Sequence, residues 1–92
     1  METIELSKKI KIKDKETDKI ELDFDKVTGN MLLNSEKETR ARGEQTPTVM
    51  FAQMYQVSIA AKMTGISYNE ICAMPGKDFQ KIVMAVSRFL FQ

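Results

Sequence analysis

Cys72 is the only cysteine of the chain, and carboxylates flank it at Glu70 and Asp78 in the stretch TGISYNEICAMPGKDF, residues 64–79. A thiol attacks as its thiolate, which needs a base, a cation or a helix N-terminus beside it. The commonest such base is histidine, and the sequence has none. That rules out Cys–His and Ser–His nucleophile pairs and any zinc site that needs imidazole. The neighbours of Cys72 are Ile71, Ala73 and Met74. Ser67-Tyr68-Asn69-Glu70 has the form of a capping box. It places Cys72 toward the C-terminal end of a short helix, where the dipole disfavours a thiolate. The expectation is a small buried hydrophobe that thiol reagents reach slowly. No catalytic residue, cofactor site or metal site is expected.

Two further groups of residues invite a chemical reading. Asp14, Glu16, Asp18, Asp23 and Asp25 are close in sequence, but they lack the central glycine and closing glutamate of a calcium loop. A solvated hairpin tip accounts for them. The seven methionines are many for 92 residues, and Met50, Met54, Met63, Met74 and Met84 all fall in the second half. Methionine fills irregular core gaps and also serves surfaces that accept varied apolar partners.

The elements that would position these residues follow from composition and period. Ninety-two residues make one domain with a modest core. A net charge of +1 gives no electrostatic case for nucleic acid or an anionic membrane, and no apolar run is long enough to span a bilayer. Residues 1–5 lead into charge rather than an apolar leader, so a reducing cytoplasm is expected. Residues 1–45 hold 10 basic and 11 acidic side chains, against 4 and 2 in residues 46–92. Charge is concentrated in the first half and apolar mass in the second.

In KKIKIKDKETDKIELDF, Ile10 and Ile12 alternate with Lys9, Lys11 and Lys13, and Ile20, Leu22 and Phe24 with Lys19, Glu21, Asp23 and Asp25. Period two predicts a β-hairpin over residues 1–27 with a five-residue loop at 14–18. Its lysines would face Glu21 and Asp23 across the strands. Residues 28–42 predict a short polar helix capped by Thr28 or Asn30, and residues 43–46 a connector. Residues 47–92 form the apolar helical part. Thr46-Pro47 would start a helix that Gly65 ends. That helix is apolar nearly all round, so part of it is expected to face another subunit or a ligand protein. From about Lys77 to Leu90, the stripe Phe79, Ile82, Val83, Val86, Phe89 and Leu90 reads as core. Met84 and Phe91 lie off it. Lys77, Lys81 and Arg88 are too sparse for a DNA-recognition face. The fold class is α+β: an N-terminal hairpin, then three to four helices.

The order of elements, with certain short motifs, resembles the small tail assembly chaperones of long-tailed phages and related phage-like particles, above all the Mu-like and P2-like tail assembly proteins. The residues that carry the resemblance begin with Thr28-Gly29-Asn30-Met31-Leu32-Leu33 and Glu36-Lys37-Glu38. They continue with Ala60-Ala61-Lys62-Met63-Thr64-Gly65-Ile66-Ser67, Glu70-Ile71, Asp78-Phe79 and Val86-Ser87-Arg88-Phe89-Leu90. The chain departs from the family pattern at Ser67-Tyr68-Asn69, where members often carry prolines, and at Pro75-Gly76. The resemblance implies a non-enzymatic protein of the bacterial host cytoplasm, absent from the mature virion. It would bind the tape measure protein before the tail tube polymerises; many members self-associate, and in many phages a longer, frameshifted form recruits the tail tube protein. The alternative is a small structural tail component, a tube or completion protein retained in the virion. The residues expected to form the protein-binding surface are Met50, Phe51, Met54, Tyr55, Met84 and Phe91.

Overall fold

A computed structural model describes residues 1–12 and 14–92; Lys13, expected to continue the alternation of the first strand, lies outside them. Strand β1 (Glu2–Ile12) pairs antiparallel with β2 (Lys15–Leu22). Ile4, Leu6, Ile20 and Leu22 turn inward and are buried, while Thr3, Glu5, Lys19 and Glu21 stay in water. The hairpin therefore extends further back than Ile10, and Ile10 and Ile12 are only half-buried. The expected five-residue loop is corrected as well. Ile12 opposes Lys15, so residues 15–18 belong to β2. Asp14 takes a left-handed φ of 66°, a conformation aspartate adopts more readily than most residues. The facing charges are Glu5 with Lys19 and Lys11 with Glu16, whereas Glu21 faces Thr3.

The register shifts between Glu5↔Lys19 and Ile10↔Thr17. Residues 6–9 therefore oppose Asp18 alone, a bulge that takes backbone groups of β1 out of the ladder. Phe24, expected to end the second strand, lies instead in a 3₁₀ turn (Phe24–Lys26), and its ring stacks on Phe89 with centroids 4.9 Å apart.

Helix α1 (Gly29–Ala41) is capped by Thr28, whose hydroxyl accepts from the Met31 N–H at 3.2 Å. Its buried residues are Ser35 and Thr39. Small side chains there let a polar helix lie close to α2 (Gln53–Thr64). Thr39 Oγ1 satisfies itself on the Ser35 carbonyl at 2.7 Å, whereas Ser35 Oγ and Ser58 Oγ have no hydrogen-bond partner among the described residues. At the rim, Lys62 Nζ meets both carboxylate oxygens of Glu38 at 2.7 Å.

Helix α2 starts later than Thr46-Pro47 suggested. The Thr46 hydroxyl donates to the Glu44 carboxylate instead of capping a helix. That bond and the Thr46 amide hold the Glu44 carboxyl below its ordinary pKa, against the smaller upward push of desolvation. The chain next makes a 3₁₀ turn (Val49–Phe51), and α2 begins after Ala52. It ends at Gly65, whose φ of 80° lets its N–H reach the Ala61 carbonyl at 2.9 Å. Tyr55, Gln56, Val57, Ser58, Ile59, Ala60 and Met63 are all buried, so α2 is enclosed nearly all round as its composition demanded. Much of that enclosure comes from the chain itself: α1, β2, the 3₁₀ turn, α3 (Tyr68–Cys72) and α4 (Gly76–Leu90) pack against α2, while Gln53 and Met54 stay exposed. Ser67 and Glu70 cap α3 reciprocally, as the capping box predicts. Of the α4 stripe, Ile82, Val83 and Val86 are buried, together with Ala85, whereas Phe79, Phe89 and Leu90 are half-buried. No helix of the described residues is long and apolar enough to cross a membrane.

Candidate protein-binding surface

The hairpin and α4 are joined by one buried carboxylate. Asp78 sits in the first turn of α4 with no exposed surface. Its oxygens accept from the Ser7 backbone N–H at 2.9 Å and the Ser7 hydroxyl at 2.8 Å. Ser7 is in the bulge, which explains why its N–H is available to α4. Burial pushes the Asp78 pKa up, but the two Ser7 bonds and the charges of Lys81 and Lys77 outweigh it, and the carboxyl titrates below its ordinary value. Along the same edge, Lys81 Nζ donates to the Glu5 carbonyl at 2.8 Å and Arg88 pairs with Glu2 at 2.6 Å. Asp78, Lys81 and Arg88 lie on one side of α4, and β1 runs antiparallel to it beside them.

Of these contacts, the Arg88–Glu2 pair lies toward the end of α4 that carries the apolar surface. Phe91 follows α4, and its ring stacks on Phe51 with centroids 4.9 Å apart and planes at 20°. Phe51 is presented by the 3₁₀ turn. That turn is held by its own Ala52 N–H to Val49 carbonyl bond at 2.9 Å and by buried Gln56, whose Nε2 donates to the Met50 carbonyl at 3.0 Å. Phe51 is 66% exposed, Met84 55%, Phe91 43% and Met54 37%. Met84, Ser87, Arg88 and Phe91 line a shallow groove of about 390 Å³. A second groove of about 550 Å³, lined by residues 2–5 with Lys81, Met84 and Arg88, opens beside it. Arg88 also borders a third, of about 300 Å³, with Phe24 and Phe89.

Of the six residues singled out from sequence, the structure brings Phe51 and Phe91 together and leaves Met54 and Met84 exposed as well. It places Tyr55 in the core at 5% exposure, where burial and then the Glu36 charge push its phenol pKa up. Met50 is half-buried. The sequence reading missed Asp78 as the link between halves. Its signal is an aspartate in the first turn of a helix opened by Pro75-Gly76, together with a serine where the β1 alternation breaks.

Cys72 is exposed, contrary to its expected burial. It follows Ile71, which α3 turns into the core, and adjacent helical side chains point about 100° apart, so Cys72 faces away from that buried side. Nearby, the Arg42 guanidinium lies over the Tyr68 ring, 3.7 Å from its centroid. Burial and the neighbouring Cys72 push the Tyr68 phenol pKa up despite that cation. Comparison with family models, with curated proteins and with solved structures found no match.

Proposed function

We propose that this chain is a non-enzymatic binding module. In our reading its partner is a long helical protein with apolar faces, in the manner of a tail assembly chaperone that keeps the tape measure protein soluble in the host cytoplasm until the tail tube forms. The observation that carries this reading is the stacked Phe51–Phe91 pair with Met84 beside it. These large apolar groups are held outside a core already complete without them. Apolar side chains gathered at one place on a small domain favour a partner's surface over a scattered surface role.

Magnitudes support a partner of this kind. Covering Phe51, Met84 and Phe91 would remove about 300 Å² of apolar surface from water, worth about 8 kcal/mol before the cost of association. That cost is about 4–15 kcal/mol, so the platform binds tightly only when flanking contacts add to it. Binding through burial alone suits a client offering many similar helical faces. The dense mixed charge of the first half, 10 basic and 11 acidic residues, keeps such a complex in solution.

Co-expression with the tape measure protein encoded in the same genome tests the reading. Wild type should raise the soluble fraction of the client and co-purify with it. Phe51→Asp combined with Phe91→Asp should lose both effects while the chain stays folded. Unchanged pull-down by that double variant would refute the assignment of the platform. Retention of the protein in purified virions would favour the structural tail component instead.

A further inference from the structure

We infer that α1 is a hinged lid: it lifts from α2 as a unit while the rest of the fold stays closed, and it lays bare the face of α2 that carries Tyr55, Ser58 and Lys62. The buried apolar core contains no residue of α1. The two buried side chains of α1 are Ser35 and Thr39; Leu32 is half-buried against the core, and Leu33 is exposed. Of the other elements, α1 packs extensively only on α2. Local opening falls to elements that bury few apolar groups.

The polar groups beneath the lid work against closure. Ser35 Oγ and Ser58 Oγ are enclosed with no hydrogen-bond partner among the described residues, and lifting returns both hydroxyls to water. Thr39 spends its hydrogen bond inside α1, on the Ser35 carbonyl, so it adds none across the contact. Among the described residues, the hydrogen bonds from α1 to another element are those between Glu38 and Lys62. Both of these side chains are partly exposed, a setting in which an ion pair contributes little. The other fastening is the Arg42 guanidinium over the Tyr68 ring, just past the end of α1. Tyr55, Ser58 and Lys62 share one face of α2 at spacings of three and four. The chain can bend at both ends of the lid. Val27 and Thr28 precede α1 in extended conformation, and residues 42–48 after it belong to no helix or strand. Gly43, at a φ of 103° with nothing within 4 Å of an added carbon, starts that second segment. Lifting uncovers Tyr55 next to Met54, which is already exposed, and so enlarges the apolar surface of α2. The lid is independent of the tail assembly reading.

Native-state hydrogen exchange on the full 92-residue chain, followed by NMR at low urea concentrations, tests it. Relative to their intrinsic rates, the amides of residues 35–41 should exchange about a hundredfold or more faster than those of Ile82, Val83 and Val86, with a weaker urea dependence. Ile82→Val, at a buried site of α4 that stays packed in both lid positions, should speed exchange in α4 by about two- to tenfold and leave residues 35–41 unchanged. Ser58→Ala leaves the helix propensity of α1 untouched and should slow exchange at residues 35–41 by about fivefold or more. Lys62→Gln combined with Arg42→Gln should speed it by about tenfold. Residues 35–41 as protected as α4 and equally sensitive to Ile82→Val would overturn the lid. So would exchange that grades inward from the ends of α1 and ignores Ser58→Ala, the mark of fraying.

Discussion

Replacing Asp78 removes the one buried carboxylate that joins the two halves of the molecule. Asp78→Asn keeps the shape and loses the charge, while Asp78→Ala loses both bonds to Ser7. Both Ser7 donors then lose their charged acceptor at the start of α4. A hydrogen bond to a charged group contributes about 1.5–3 kcal/mol. Asp78→Ala should therefore destabilise by about 2–3 kcal/mol, on the order of 10–20 °C in Tm for a chain this short. Ser7→Ala, which keeps the backbone bond, should cost about 1 kcal/mol. Urea unfolding followed by far-ultraviolet circular dichroism measures each. The pH dependence has a definite sign. The folded pKa of Asp78 lies below the unfolded value, so its contribution is complete above about pH 4 and fades as pH falls through the folded pKa. Asp78→Asn lacks this component, and its stability curve should converge on wild type in acid. A loss below about 0.5 kcal/mol at pH 7 for Asp78→Ala, or parallel pH curves for wild type and Asp78→Asn, would refute the reasoning.

Other outcomes follow from the same contacts. Cys72 should react with a thiol reagent at neutral pH within about tenfold of its rate in the denatured chain, and a hundredfold slowing would contradict its exposure. Gly65→Ala should cost about 1–2 kcal/mol because its φ of 80° is left-handed, whereas Gly29→Ala, with nothing within 4 Å of the added carbon, should be neutral or slightly stabilising; chemical denaturation distinguishes them. Leu22→Ala, at a fully covered site of the hairpin, should lose about 2–5 kcal/mol in the same assay.

Periodicity made much of the fold legible. The stripe of α4 and the alternation Ile20-Glu21-Leu22 each pointed to the correct buried face, because burial on one side of an element imposes its own period. The capping box at Ser67 and the stop at Gly65 were legible because both are local chemistry. What the sequence concealed depends on contacts between distant residues. The bulge at residues 6–9 exists together with Asp78, 71 positions away from Ser7 in the chain. Enclosure of α2 depended on α1 using Ser35 and Thr39 as packing residues, and serine and threonine do not read as core. Of the surface residues, Phe91 and Met84 were visible because they lie off the α4 stripe. Tyr55 was misplaced because an all-round apolar helix gives no period from which to choose an outer face.

The central claim is that the exposed apolar groups at the end of α4 hold a helical partner. Amide hydrogen exchange on the complex co-purified with the tape measure protein tests it most directly. The account predicts slowed exchange around residues 51, 84, 87, 88 and 91, with residues 55–60 of α2 unchanged because their own chain already buries them. Failure of any complex to form, or protection confined to the outer faces of α1 and β2, would contradict it.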